Sequence, residues 1–548
     1  MGTKDYKAGA ADIVNFRFLP DGSLQKRSGY LKLCSLPTRI RAVWSGVLKG
    51  TASIFALCGA DVYFIDPAIG DTEKISTITN SGKQATFFYY QHSLFLIDGQ
   101  NIYNVTSKKV LPAVGYAPLI GKDWHEDEIG EINEHRNVLT SRARITYLIT
   151  KSTATRLYTN GAISSIDAVY VNGALISSEN YMISSVPGVV IVSGLQQNDR
   201  VELYFTYESE ISASEIKANT KATVFGEINN SRPFLYGGGN GAVIYCGAYV
   251  SESDLADCKR VYTDTDAIYF PIGHEFTVGD GRYPIRTVGR HFDRMLIFTE
   301  GGAWMANSST FGTEGFPVMS INTSVPTISQ YAPAVIGNSP CTVATNGVYA
   351  YSSNTDELDE CNAYPLSQAI NALLDPGWLN SSNLFYWKEK DELLFYSAEG
   401  DTVWVYSPSL SSWTRFTGIR AQMFFDVEGD AAFYNNKSIY VFYDNLFDDE
   451  ETREIQAKIV SHPEDFSTPK KKSLSYATSE VSDGEITVEL YSDEESILRG
   501  ALSFGRDISN SVFQKKRVRA NRFESVTTSL LAGGSARQRI ISASLAIK

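Results

Sequence analysis

Short runs of aliphatic, aromatic and β-branched residues recur along the chain in pairs, each pair hinged at Gly, Asp or Asn. Residues 53–58 and 61–66 flank Gly59-Ala60, and residues 93–97 and 102–105 flank Asp98-Gly99. The two pairs start about 40 residues apart, the spacing at which four-stranded propeller blades repeat. The pattern returns at 295–298 with 303–305 across residues 299–302, and at 342–344 with 348–351 across Asn346-Gly347. Residues 384–387, 392–396, 402–406 and 413–416 then read as four successive strands, one complete blade, and 431–434 with 438–443 add a further pair. The runs are apolar at consecutive positions, which suits sheets covered on both faces better than sheets half exposed to water. Helical periodicity is confined to 366–374, entered after Pro365 and stopped by Asp375-Pro376-Gly377. The pattern therefore predicts an all-β chain, a β-propeller of six or more blades.

Two segments depart from this rhythm. Residues 146–207 hold strands of their own at 168–171, 181–183, 189–192 and 201–207, with turns at Asn172-Gly173 and Gln197-Asn198-Asp199, and read as a small β-sandwich inserted between blades. After the acidic stretch 444–454, alternating runs such as 486–491 and 523–531 indicate a C-terminal β-domain behind a charged, flexible approach. The expected division is 1–140 for N-terminal propeller blades, 141–212 for the inserted β-sandwich, 213–450 for the remaining blades and 451–548 for the C-terminal β-domain.

Composition narrows the class. The 548 residues are 43% hydrophobic and 20% charged, which excludes disorder, collagen and coiled coil. Lys plus Arg at 49 against Asp plus Glu at 62 gives a net charge of -13, too acidic for a surface that clings everywhere to nucleic acid, while leaving room for local basic patches. Cys34, Cys58, Cys246, Cys258, Cys341 and Cys361 form no CxxC pair, so reduced thiols are expected rather than a zinc site or a disulfide framework. No stretch approaches the roughly 18 apolar residues of a membrane span, and residues 1–20 lack the apolar core of a signal peptide, so folding in a cytoplasm is expected.

Candidate chemistry is sparse. Residues 237–242 match GxGxxA, but a phosphate site of that type needs a helix to follow, and Val243-Ile244-Tyr245-Cys246 reads as a strand. A wide glycine turn is expected there. His125, Glu126, Asp127, Glu128 and His135 are metal-ligand types without ligand spacing, and read as a solvated acidic loop. Asp264 and Asp266 lack the rest of a calcium loop and read as a turn, and residues 448–451 read as a solvated acidic run. No paired carboxylates, nucleophile elbow or nucleophile–base relay stands out, so neither an enzyme nor a cofactor or metal site is expected. The remaining feature is basic: Lys515, Lys516, Arg517, Arg519 and Arg522, a solvated strand face or a docking surface for an acidic partner subunit, with DNA phosphate contact a weaker option.

Residues 15–30, NFRFLPDGSLQKRSGY, resemble the opening signature of tail nozzle and tail-hub (stabilisation) proteins of short-tailed bacteriophages, with Asn15, Asp21, Gly22, Lys26, Arg27 and Gly29 at the signature positions. The middle of the chain is similar to the same family, in the order Arg232 to Asn240, Val243 to Cys246, Tyr269 to Ile272, Val278 to Gly281, then the run from Phe292 to Trp304 that contains Asp293 and Arg294. Trp404 to Tyr406, Ser412-Trp413, Arg517 to Phe523 and Ile540 to Leu545 also look like that family's closing blade and terminal domain. The resemblance covers most of the chain outside 146–207, and none of its motifs is catalytic. It implies a non-enzymatic virion part, assembled in the host cytoplasm as a homo-oligomeric ring, often a hexamer. Such a ring continues the portal–adaptor channel for DNA retention and ejection and docks tail fibre or needle proteins. The acidic charge suits such a conduit, because a wall of carboxylates repels the polyanion that must slide past it. The competing expectation is a propeller that binds or cleaves a surface glycan, its pocket walled by some of the 31 Tyr residues.

Overall fold

In the computed structural model, the described residues are 10–547 apart from 80, 152–154, 227–229, 308–316, 354–360, 464–471, 483, 493–497, 507–511, 524 and 535–536. The fold is all-β, and among the described residues six four-stranded antiparallel sheets and the first four strands of a nine-stranded sheet form the seven blades of a propeller. Blade 1 spans 40–77, blade 2 spans 86–112, blade 3 spans 221–277, blade 4 spans 285–322, blade 5 spans 334–365 and blade 6 spans 382–417. Blade 7 takes three strands from 423–443 and its fourth, Gly29–Ser35, from near the N-terminus. The ring is closed: the innermost strand Met423–Val427 of blade 7 lies against Ile40–Leu48 of blade 1, as innermost strands do at the other seams, with Ile285–His291 of blade 4 lying against the second strand of blade 5, Ser339–Ala344.

Burial explains why the apolar runs are continuous. Phe55, Ala56 and Leu57, like Leu94 to Ile97 and Leu296 to Phe298, are 0% exposed, because each second strand is covered on both faces by adjacent blades. One apolar cluster fills each gap between blades, from Cys34, Ile54 and Phe425 between blades 7 and 1 round to Tyr30, Leu394 and Phe433 between blades 6 and 7. The runs seen in the sequence are mostly the second and third strands. Innermost strands such as Ile40–Leu48 and Ile285–His291 carry more polar residues and escaped that reading.

Residues 10–26 build no blade, unlike the expected 1–140 division. Strand Ala10–Val14 lies between the outer strand of blade 6 and Ala457–Ser461, so blade 6 runs on into one sheet of nine strands that ends at Leu498–Arg506. Strands Phe16–Phe18 and Leu24–Lys26 join Arg539–Ile547, Lys472–Ser482 and Val512–Phe523 in a second sheet. Phe16, Ile459, Val488, Leu490, Leu530 and Ile540 pack in one core of this C-terminal region. Between blades 2 and 3, a five-stranded and a three-stranded sheet enclose Trp124, Ile145, Val169, Val190 and Phe205. The first strand of that insert is Leu119–Trp124, ahead of residue 141, and it pairs in parallel with Arg142–Leu148.

Helix is scarce and misplaced by the sequence reading. Residues 366–374 give turns and a short 3-10 segment, Asn371–Leu373. The helix beside them is Pro376–Asn380, started by Asp375, whose side chain accepts from the Gly377 and Trp378 amides, with Pro at its first turn. Helix Glu252–Lys259, capped by Ser251, carries only Cys258 as a buried residue and so had no apolar period to betray it.

Candidate functional site: the junction closed by the N-terminal segment

The signature residues of the stretch 15–30 converge where blade 6, blade 7 and the C-terminal sheets meet. Asn15 sits in the left-handed region at φ 56, which Asn tolerates better than most residues. Its Oδ1 accepts from the Thr417 amide at 2.8 Å and from Arg27 Nε at 3.0 Å, while its Nδ2 donates to the Gln456 carbonyl at 2.7 Å. Three chain segments far apart in sequence are thus held by one amide side chain.

Arg27 is 1% exposed and grips Asp449 end-on, Nη1 to Oδ1 at 2.8 Å and Nη2 to Oδ2 at 2.7 Å. Arg453 reaches the same carboxylate at 3.0 Å and also donates to the Gly418 carbonyl at 2.7 Å. Lys26, 0% exposed, donates its ammonium to the Gly534 carbonyl, and burial holds its pKa below the ordinary lysine value although Asp448 and Glu454 oppose that shift. Gly29 has no room for a side chain, since a Cβ there would lie 2.0 Å from the Asp448 carbonyl oxygen. Asp21 and Gly22 shape a turn: Gly22 has φ 81, and Asp21 accepts from the Ser23 amide at 3.0 Å and hydroxyl at 2.6 Å and pairs with Arg539.

Residues 448–451 are not a solvated run: Asp448 and Asp449 are 9% and 2% exposed, because the Lys26-Arg27 pair neutralises them from across the fold. Glu450 and Glu451 alone face solvent, both at positive φ in the turn that turns the two aspartates inward. Glu126 is likewise buried, its carboxylate accepting from the Thr150 amide at 3.0 Å and hydroxyl at 2.9 Å.

Sequence reasoning passed over Arg17 and Glu392. Both are buried, they pair at 3.4 Å, and the Arg17 guanidinium lies 5.0 Å from the centre of the Trp387 ring and 5.9 Å from that of Phe416. Burial pushes the Glu392 carboxyl up, against the opposing pull of Arg17. The signal was present as a charged residue inside the apolar runs 16–18 and 392–396.

Other expected residues lie elsewhere. Asp293 is exposed in the hairpin of blade 4, Arg294 opens the next strand, and Trp304 is half-buried in the core between blades 3 and 4. Lys515, Lys516, Arg517, Arg519 and Arg522 all fall in strand Val512–Phe523, whose backbone sets Lys515 opposite Thr478 and Arg517 opposite Tyr476. Residues 237–242 link strands Arg232–Tyr236 and Val243–Cys246, a hairpin loop with no helix after it. His135 meets His274 edge to face at 5.8 Å, and among the described residues no three His, Cys, Asp or Glu side chains gather as a metal site.

The neck between propeller and insert is a second polar cluster. Glu134 accepts the Leu119 amide at 2.7 Å, and Arg144 donates to the Tyr116 hydroxyl at 2.7 Å. Burial pushes the Glu134 carboxyl up to about 7, with the Leu119 amide and Arg144 opposing and Asp254 adding to the rise. A carboxyl that holds its proton longer folded than unfolded gives stability that is full below 4.5 and lost as pH rises through about 7. Glu134→Gln keeps the acceptor for Leu119 and removes the titration. Its melting temperature is expected to gain on wild type as pH rises from about 5 to about 8. A constant difference across that range, read by calorimetry, would show that Glu134 does not titrate there.

Fold and junction define the class: a closed β-propeller with an inserted β-sandwich, fastened to its C-terminal sheets by an N-terminal clasp. No family model and no curated protein matches the sequence. Among solved structures, the chain is similar at 9% identity to one in the crystal structure of a mitotic checkpoint complex, over 74% of this chain and 94% of that chain, with a TM-score of 0.34. It is similar at 8% to the AfRom2 CNH domain, over 76% and 99%, with a TM-score of 0.32. The corresponding figures for Hsv2 of Kluyveromyces lactis are 7%, 69% and 97%, and 0.27. Among the described residues no helix is long and apolar enough to cross a membrane.

Proposed function

We propose that this protein is a structural part of a short-tailed phage virion, a nozzle or hub subunit that assembles as a ring below the portal and adaptor and continues the channel for DNA. The observation that carries the reading is the fate of the signature residues. Asn15, Lys26, Arg27 and Gly29 are spent on a buried junction that fuses the propeller to the C-terminal sheets, which is what a rigid ring component requires and what a ligand pocket does not. In this reading the basic run Lys515 to Arg522 docks an acidic partner subunit, and the surplus carboxylates face the lumen of the ring. The propeller's own axis is a different place: its innermost strands carry Arg41, Lys221, Arg286 and Arg290 against Asp426.

Sedimentation velocity of the purified chain, alone and with portal–adaptor complexes, tests the assignment. A multi-copy ring, or assembly onto those complexes, is expected. A chain that stays monomeric in both, and that releases sugar from host envelope material, would overturn it in favour of a glycan-cleaving propeller.

A further inference from the structure

The innermost strands all run the same way, as the first strand of an up-and-down blade must, so their first residues lie on one face around the mouth of the axis. On the arc from blade 1 to blade 4 that mouth is cationic. Arg41 donates to the Gly59 carbonyl at 2.8 Å and also to the Lys83 carbonyl. Lys83 donates its ammonium to the Gly99 carbonyl at 3.1 Å, and a Cβ on Gly99 would touch both Lys83 and Thr220. Lys221 follows Thr220 and donates to the Arg286 carbonyl at 2.6 Å. Arg41, Lys83, Lys221 and Arg286 are therefore stepwise neighbours across four blades. Two acids stand among them. Glu300 pairs with Arg286, and Asp98 is buried with one oxygen held by the Gln100 and Asn101 amides.

Lys221 is the informative member. It is 8% exposed, and its ammonium meets one backbone carbonyl. The charged group that acts on it is Arg286, a second cation, and burial together with that neighbour pushes its pKa down to about 8. A buried cation without an anion is costly, and a protein that keeps one gains from it when an anion arrives. The glycine loop 237–241 forms the adjacent wall: Gly237 lies beside Thr220 and Lys221, and Gly239 has open space around it, so a ligand can approach the backbone.

We propose that this mouth binds a linear polyphosphate anion, the chemical class of inorganic tripolyphosphate and the nucleoside triphosphates, with Lys221 and Arg286 at its floor and Lys83 and Arg41 at its rim. The site is independent of the virion assignment and stands or falls without it. Isothermal titration of the full chain with sodium tripolyphosphate at low salt tests it, with ATP as a second arm. Saturable binding is expected, at least about tenfold weaker in Lys221→Met and in Lys83→Glu, since one charged hydrogen bond to phosphate carries about that much affinity. Equal affinities for the two ligands assign the site to the phosphate chain, and tighter ATP binding adds a nucleoside contact. Lys221→Met removes an uncompensated charge, so its melting temperature at neutral pH is expected to match or exceed that of wild type, which separates lost binding from lost folding. Absence of saturable heat with both ligands, or unchanged affinity in both variants, overturns the proposal.

Discussion

Arg27→Ala is expected to cost about 3–5 kcal/mol of stability, the range for removing one partner of a buried ion pair. The loss has three sources. Asp449 keeps Arg453 as its ion-pair partner among the described residues, Asn15 Oδ1 loses a donor, and the Ser28 and Thr417 carbonyls lose theirs. The Arg453 contact places the result toward the lower end. Because the pair rather than the volume is at issue, Arg27→Met should be nearly as damaging. The double variant Arg27→Met with Asp449→Leu should recover much of the loss by removing the stranded carboxylate. Denaturant midpoints of the three variants decide this. A change in Arg27→Ala below about 1 kcal/mol would place the pair among surface ion pairs, where its burial says it does not belong.

The second large effect is expected from deleting residues 1–35. Strand Gly29–Ser35 is the fourth strand of blade 7, paired from Gly29 with Tyr443 to Ser35 with Ser438. Without it, Ser438–Tyr443 becomes an open edge at the seam of the ring, an apolar template for pairing with other chains. The same deletion strips Ala10–Val14 from between blade 6 and Ala457–Ser461 and takes Phe16 from the C-terminal core. Soluble yield is expected to collapse, and supplying residues 1–38 as a separate chain is expected to restore part of it. A truncated chain that is monodisperse and melts at the wild-type temperature would show that the seam closes without this strand.

Much of the architecture was legible because the second and third strands of a blade are buried on both faces and cannot avoid an apolar signature. Ser93–Ile97 and Ile102–Val105, the second and third strands of blade 2, fall where the runs 93–97 and 102–105 put them. The junction was not legible in the same way. Asp448-Asp449 read as part of a solvated acidic run and Lys26-Arg27 only as signature positions, and only the closure of a ring more than 400 residues long brings them together, as the separation of 422 between Arg27 and Asp449 shows. Charge neutralisation over that span leaves no local period. The split of the C-terminal core between residues 10–26 and 457–547 was hidden for the same reason, since two strands as short as Phe16–Phe18 and Leu24–Lys26 announce nothing about their partners. What did mark the site was the resemblance at 15–30, whose residues prove to be junction residues.

The propeller and the C-terminal sheets form one body through the N-terminal clasp. Hydrogen exchange of the full chain and of Asn15→Ala, followed by mass spectrometry, tests it most directly. Asn15 ties Thr417 of blade 6 to Gln456 ahead of the C-terminal sheets. Peptides covering Gly29–Ser35, Ser412–Thr417 and Ala457–Ser461 should therefore lose protection together in the variant. Faster exchange confined to the peptide that contains residue 15, with Ser412–Thr417 and Ala457–Ser461 unchanged, would contradict the account.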